Sequence, residues 1–255
     1  MTRLSTLPVP LARPGGPGQR TTTRASLAGL CWALLALLGL PLTAAEPLRL
    51  FNGQTLAGWD GDARFWRVED GCISGETRPD QVLTRNTFLI WRGGVFADGT
   101  IELDYRFLSD EGNSGLQYRS SDLGDHLVSG YQANIEQGGK NRNGMNYSEG
   151  TGREVLALAG ERAWVGDGRT RIRTEHFAEA KDLFTVVKGR GEWNHYQLVA
   201  HGNTMTIAIN GTLMSQTVDE SATQAAKEGI IALQLHVGKA MKIQFKDVVL
   251  IPLVP

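Results

Sequence analysis

The feature that most constrains this chain is an alternation of apolar and polar residues with a period of two, recurring from residue 100 to the carboxyl end. In Thr100–Leu108, Ile101, Leu103, Tyr105 and Phe107 take one parity while Glu102, Asp104 and Arg106 take the other, the pattern of a strand with one buried and one polar face. Gly115–Arg119 sets Leu116 and Tyr118 opposite Gln117 and Arg119, and Tyr131–Glu136 sets Tyr131, Ala133 and Ile135 opposite Gln132, Asn134 and Glu136. Further strands are predicted over Trp193–Ala200, Thr204–Ile209 and Leu213–Val218, with Asn210-Gly211 as a two-residue hairpin turn between the last two. Gly229–His236 buries Ile231, Leu233 and Leu235 against a face carrying Gln234 and His236, and Met241–Ile251 reads as a closing strand. Val155–Phe184 is less regular and admits more strands or a long loop, with a short helix near Glu175–Asp182. No apolar stripe of helical period runs through the chain. The expected fold is therefore all-β, an antiparallel β-sandwich.

Composition agrees: 31 glycines and only 21% charged residues among 255 favour many turns over long surface helices. The first 45 residues stand apart. They carry Arg3, Arg13, Arg20 and Arg24 without an acid, then the apolar run Ser26–Leu42, then Thr43-Ala44-Ala45. That order is expected of a secretory leader cleaved after Ala45, the apolar run being shorter than the ~20 residues of a membrane helix. The expectation is a secreted or periplasmic protein with one domain over 46–255 and no membrane span after cleavage. This body holds 22 basic against 27 acidic residues, which argues against a nucleic-acid partner, since phosphate binding needs clustered Lys and Arg. Cys72 is its single cysteine, so the domain depends on its core and not on an internal disulfide.

An ordered series of short motifs spans the body: Leu50-Phe51-Asn52-Gly53 with Gly58-Trp59, Gly71-Cys72-Ile73-Ser74-Gly75, Gly112-Asn113-Ser114-Gly115 with Arg119, Gly130-Tyr131-Gln132 through Ile135, Glu192-Trp193-Asn194, Asn210-Gly211, and Gly229 with Leu233-Gln234-Leu235-His236. Together they resemble the bacterial 3-keto-disaccharide hydrolase family. The resemblance implies a concanavalin-A-like, laminin-G-like jelly roll, export, and action on glycosides whose glucose unit is oxidised at carbon 3. Where that family often has Glu after the Tyr of its Gly-Tyr pair, this chain has Gln132, an amide in place of a carboxylate.

A ketone at carbon 3 acidifies the hydrogen on carbon 2. Its removal gives an enolate that expels the anomeric substituent, and water added to the enone completes a net hydrolysis. Such chemistry needs a general base near carbon 2 and donors at the developing oxyanion. His236 is the first choice for the base, because an imidazole titrates near neutrality; its structural alternative is a solvent-facing strand-end residue. Glu136 and Glu149 are the carboxylate candidates, whose plain alternative is a solvated acid. Asn113, Ser114, Gln117, Arg119, Gln132, Asn134, Tyr147 and Gln234 are the candidate sugar-binding residues, Arg119 having an ion pair across the sheet as its alternative and Asn113-Ser114 a tight turn. Tyr131 and the tryptophans Trp59, Trp66 and Trp193 read as core. The scattered histidines and lone cysteine form no metal motif, though a loop-built oxygen site for a divalent cation is compatible with the sequence. No phosphate-cradling glycine loop or nucleophile elbow is present, so an oxidoreductase that forms the ketone is expected to be a separate upstream partner. A non-catalytic carbohydrate-binding module or a structural domain are the other readings such a sandwich allows.

Overall fold

The computed structural model describes residues 46–138 and 142–253; the expected leader over 1–45 lies outside them. The chain forms β1 (Leu48–Arg49), β2 (Trp59–Asp60), β3 (Trp66–Glu69), β4 (Cys72–Glu76), β5 (Thr87–Phe96), β6 (Gly99–Phe107), β7 (Gly112–Gly124), β8 (Leu127–Gln137) and β9 (Asn146–Glu149). Beyond these come β10 (Glu154–Ala157), β11 (Glu161–Val165), β12 (Arg171–His176), a single helical turn α1 (Ala180–Leu183), β13 (Asn194–His201), β14 (Thr204–Ile209), β15 (Thr212–Asp219), β16 (Gly229–Leu235) and β17 (Lys242–Pro252). The irregular stretch Val155–Phe184 thus supplies most of β10 together with β11 and β12, and the short helix falls at the end of its predicted span.

Two sheets pack face to face. The ten-stranded sheet runs β12-β11-β15-β14-β13-β6-β17-β4-β3 with β1 on β17, and the seven-stranded sheet runs β10-β9-β8-β7-β16-β5-β2. All neighbours are antiparallel except β11 and β15, which run parallel. This is the antiparallel sandwich that the alternation predicts, in the jelly-roll form that the family resemblance implies. The apolar parity of each strand meets between the sheets: Ile101, Leu103, Leu198, Ile207, Ile243 and Phe245 from one face Leu116, Ala133, Ile135, Ile231, Leu233 and Leu235 from the other. At ~25 cal/mol per Å² of apolar surface removed from water, this burial is the dominant favourable contribution.

The hairpin between β14 and β15 turns at Asn210 (φ 51) and Gly211 (φ 78), both left-handed as a type I′ turn requires. Cys72 is a free, buried thiol whose burial pushes its pKa up. Trp59 and Trp66 are buried as expected. Trp193 is not: half-exposed, it is flanked by the Arg106 guanidinium at 4.5 Å and the Lys246 ammonium at 4.6 Å. It stands one residue before β13 and shares the parity of His195, whose side chain faces away from the core.

Candidate functional site

The polar parity of the seven-stranded sheet faces away from the core. The β7/β8 ladder places Gln117 opposite Gln132, Gly115 opposite Asn134 and Asn113 opposite Glu136, and β9 adds Tyr147 opposite Gln132. Gly115 is required there, because a Cβ would sit 2.5 Å from Cγ of Gln132; the missing side chain lets the Gln132 amide lie across the sheet. Gln117 Nε2 donates to Gln132 Oε1 at 2.6 Å, Gln132 Nε2 to Asn134 Oδ1 at 2.9 Å, and Asn134 Nδ2 to the Arg142 carbonyl at 2.9 Å. These side chains are almost wholly buried, so the chain of amides forms a rigid floor, satisfied through one another.

Above this floor is a cavity of about 140 Å³ lined by Asn86, Asn113, Gln132, Asn134, Arg142, Met145, Tyr147, Glu149 and His236. A second cavity of about 220 Å³ shares Asn113 and His236 and adds Glu136. The two adjoining cavities make up the candidate groove: His236 borders both, Glu149 the first and Glu136 the second. Glu149 is held on both oxygens: Asn86 Nδ2 donates to Oε1 at 3.0 Å and Gln234 Nε2 to Oε2 at 3.3 Å. That fixes the orientation of the buried Gln234 amide, whose Oε1 is left without a partner. Glu136 Oε2 accepts the Arg142 main-chain N–H at 2.8 Å. His236 Nδ1 faces the Val237 carbonyl; a carbonyl only accepts, so in the neutral imidazole Nδ1 carries the proton and the lone pair is on Nε2. The Tyr147 phenol is held protonated, its pKa raised by burial and by the Glu149 charge.

Two of the expected binding residues are elsewhere. Arg119 has φ 45 and sits where the β7/β8 register slips between Tyr118 and Ser121. The bulge reverses the expected parity, and the buried guanidinium donates to the carbonyls of Ala97 and Gly202 at 2.8 Å each and to Asp98 Oδ1 at 2.5 Å. It is an internal tie, and its ion-pair partner is neither Glu102 nor Asp104. Ser114 shares the parity of Leu116; fully buried, its hydroxyl donates to the Gln234 carbonyl at 2.5 Å. Gln117 is on the right face but beneath the Gln132 amide, a floor residue. Tyr131 is buried as expected, its hydroxyl donating to Asp219 Oδ2 at 2.5 Å.

Asn86 was not legible from sequence. It stands in the turn before β5, where no alternation marks it, and its partners are 63 and 151 residues away. Its Oδ1 accepts the Val237 N–H at 2.9 Å, so one amide joins the Glu149 carboxylate to the residue after His236. Among the described residues, no group of three or more His, Cys, Asp or Glu is placed to hold a metal ion, and no helix is long and apolar enough to cross a membrane.

Residues 46–251 match the 3-keto-alpha-glucoside-1,2-lyase-like domain family. Among solved structures, the "Putative glycosyl hydrolase" of Parabacteroides distasonis ATCC 8503 is similar with a TM-score of 0.54 and 17% identity, over 82% of this chain and 100% of that one. A Bacillus subtilis protein of unknown function with a galectin-like fold is similar with a TM-score of 0.51 and 12% identity, over 82% and 95% of the two chains. At such identities the likeness is one of fold. No curated protein shows significant similarity to the chain.

Proposed function

The chain belongs to the 3-keto-alpha-glucoside-1,2-lyase-like family, and on that premise we propose that its groove cleaves glycosides oxidised at carbon 3 of the glucose unit. The observation that carries the reading is the convergence of His236, Glu149, Tyr147, Asn113 and Asn134 on one cavity. Nε2 of His236 takes the proton from carbon 2, and the electron pair moves onto the carbon-3 oxygen as an enolate. The Asn113 amide is the neutral donor suited to that oxygen. Re-formation of the ketone expels the aglycone oxygen from carbon 1, for which the protonated Tyr147 phenol is a proton source, its ring offering a face to the sugar. Water adding across the carbon 1–carbon 2 double bond gives 3-keto-glucose. Glu149, held by two amides, is the second base or an acceptor for sugar hydroxyls, and Glu136 is the reserve carboxylate at the neighbouring cavity. The Gln132 and Asn134 amides supply further contacts, while the fully buried Gln234 acts by holding Glu149.

This reading makes the protein an exported glycosidic-bond-cleaving enzyme whose substrate is formed by a separate carbon-3 oxidoreductase. The test is mass spectrometry of products after incubation with synthetic 3-keto-glucosides, with and without chelator. Free 3-keto-glucose identifies a hydrolase, and a product lighter by one water a lyase that stops at the enone. Intact substrate, together with clear calorimetric binding of unoxidised oligosaccharide, would leave a carbohydrate-binding module in its place.

A further inference from the structure

Pairing register in the seven-stranded sheet sets Gln234 opposite Phe88 and Leu235 opposite Thr87. Carried one residue further, the same register brings Asn86 opposite His236, so the ladder itself fixes that pair. It does not fix Glu149. That residue stands on β9, with β8, β7 and β16 between it and β5, and its place relative to His236 depends on side-chain bonds made across the face of the sheet. Each carboxylate oxygen has one such bond, from Asn86 on one side and Gln234 on the other. Gln234 is locked inside β16 and fully buried, whereas Asn86 is half-buried and borders the groove.

The two ends of the Asn86 amide act on different partners. Nδ2 donates to Glu149 Oε1 at 3.0 Å, and Oδ1 accepts the Val237 N–H at 2.9 Å. Val237 in turn presents the carbonyl that His236 Nδ1 faces. Anchoring Val237 by its N–H therefore steadies the acceptor that sets the direction of the imidazole and the nitrogen that carries its proton, as the outer hydrogen-bond partners of a metal-bound histidine do. The position asks for a donor on one side and an acceptor on the other. A carboxamide has both; the carboxylate of the same length keeps the acceptor but puts a second negative charge against Glu149 in place of the donor.

Resting on the reading of the groove given above, we propose that Asn86 is a positioning residue that holds Nε2 of His236 and the Glu149 carboxylate in one fixed relation, the first through Val237 and the second directly. Asn86→Ala removes both arms, and Asn86→Asp keeps the arm to Val237 alone. In long-range proton–nitrogen correlation spectra of the folded chain, taken at a pH where His236 is neutral, the parent and Asn86→Asp are expected to carry the imidazole proton on Nδ1, and Asn86→Ala to show a mixture of both tautomers. With a 3-keto-glucoside, kcat is expected to fall about tenfold to a hundredfold in both variants while KM stays within about threefold, the cost of misplaced but intact catalytic groups. A kcat within about threefold of the parent in either variant overturns the proposal. So does an unmoved tautomer in Asn86→Ala, which would make any loss of rate merely structural, or a mixture in Asn86→Asp. If the unaltered chain releases no aglycone, the catalytic reading of the groove fails, and the spectra alone decide whether Asn86 positions the imidazole.

Discussion

At Arg119 a single left-handed backbone angle redirects a side chain from the groove face to the interior. The consequence is a prediction of kind: Arg119→Ala is expected to lower stability by ~1–3 kcal/mol, the cost of leaving buried partners unsatisfied, while glycoside affinity of the folded protein stays within about twofold. Denaturant titration with calorimetry checks both. His236→Ala should do the reverse. Removing a general base costs ~10²–10⁴ in rate, so release of aglycone from a 3-keto-glucoside is expected to fall at least a hundredfold, with the unfolding midpoint little changed because the imidazole is only part-buried. Glu149→Gln keeps the shape but sets a carboxamide against the Asn86 and Gln234 donors, and should lose activity as well. A rate for either variant within threefold of the parent removes that residue from the mechanism. His236 was legible because strand alternation through β16 carries it onto the Gln234 face. Asn86 was not, because a turn has no period to read.

Individual strands show how far alternation reaches. It placed β6, β8 and β16 with their inward residues, since pairing register and burial both repeat every second residue. It erred at Arg119, where an inserted residue inverts the count; Trp193, read as core for its size, instead has the outward parity of His195. The β7/β8 pair carries a further consequence. Gly115→Ala would press a methyl into the Gln132 side chain, displacing the amide from its bonds to Gln117 and Asn134. The expected cost is ~1–3 kcal/mol, typical of overpacking, together with weaker sugar binding, read by thermal unfolding and calorimetry on the same preparation. If Gly115→Ala binds glycoside like the parent, the amide floor has no role in the site.

Across the whole molecule, ion pairs join segments that alternation treats separately. The Arg153–Asp219 pair is buried on both sides and ties the turn after β9 to the end of β15, with two bonds of 2.6 and 2.9 Å. Arg153→Ala would strand the Asp219 charge in the interior, and a loss of ~3–5 kcal/mol is expected by chemical denaturation; a loss below 1 kcal/mol would mean water reaches it. Near the surface, Arg92 holds down the pKa values of Asp60 and Asp122, and Lys242 that of Glu69. A carboxylate whose folded pKa lies below its unfolded value contributes stability above the unfolded pKa, and that contribution disappears as pH falls through the folded one. The unfolding midpoint should therefore drop below about pH 4, each exposed pair adding little by itself. A midpoint level down to pH 2 would contradict it.

Alone, the sequence determined that this chain is a sandwich of antiparallel strands, and which parity of most strands is apolar, because a period of two is a local property that burial enforces residue by residue. Only the tertiary structure decided that the polar faces of β7, β8, β9 and β16 border one groove with the turn at Asn86, and that Arg119 and Ser114 do not. Those outcomes depend on strand order, a bulge and contacts between residues far apart in the chain, none of which leaves a repeating mark in the sequence.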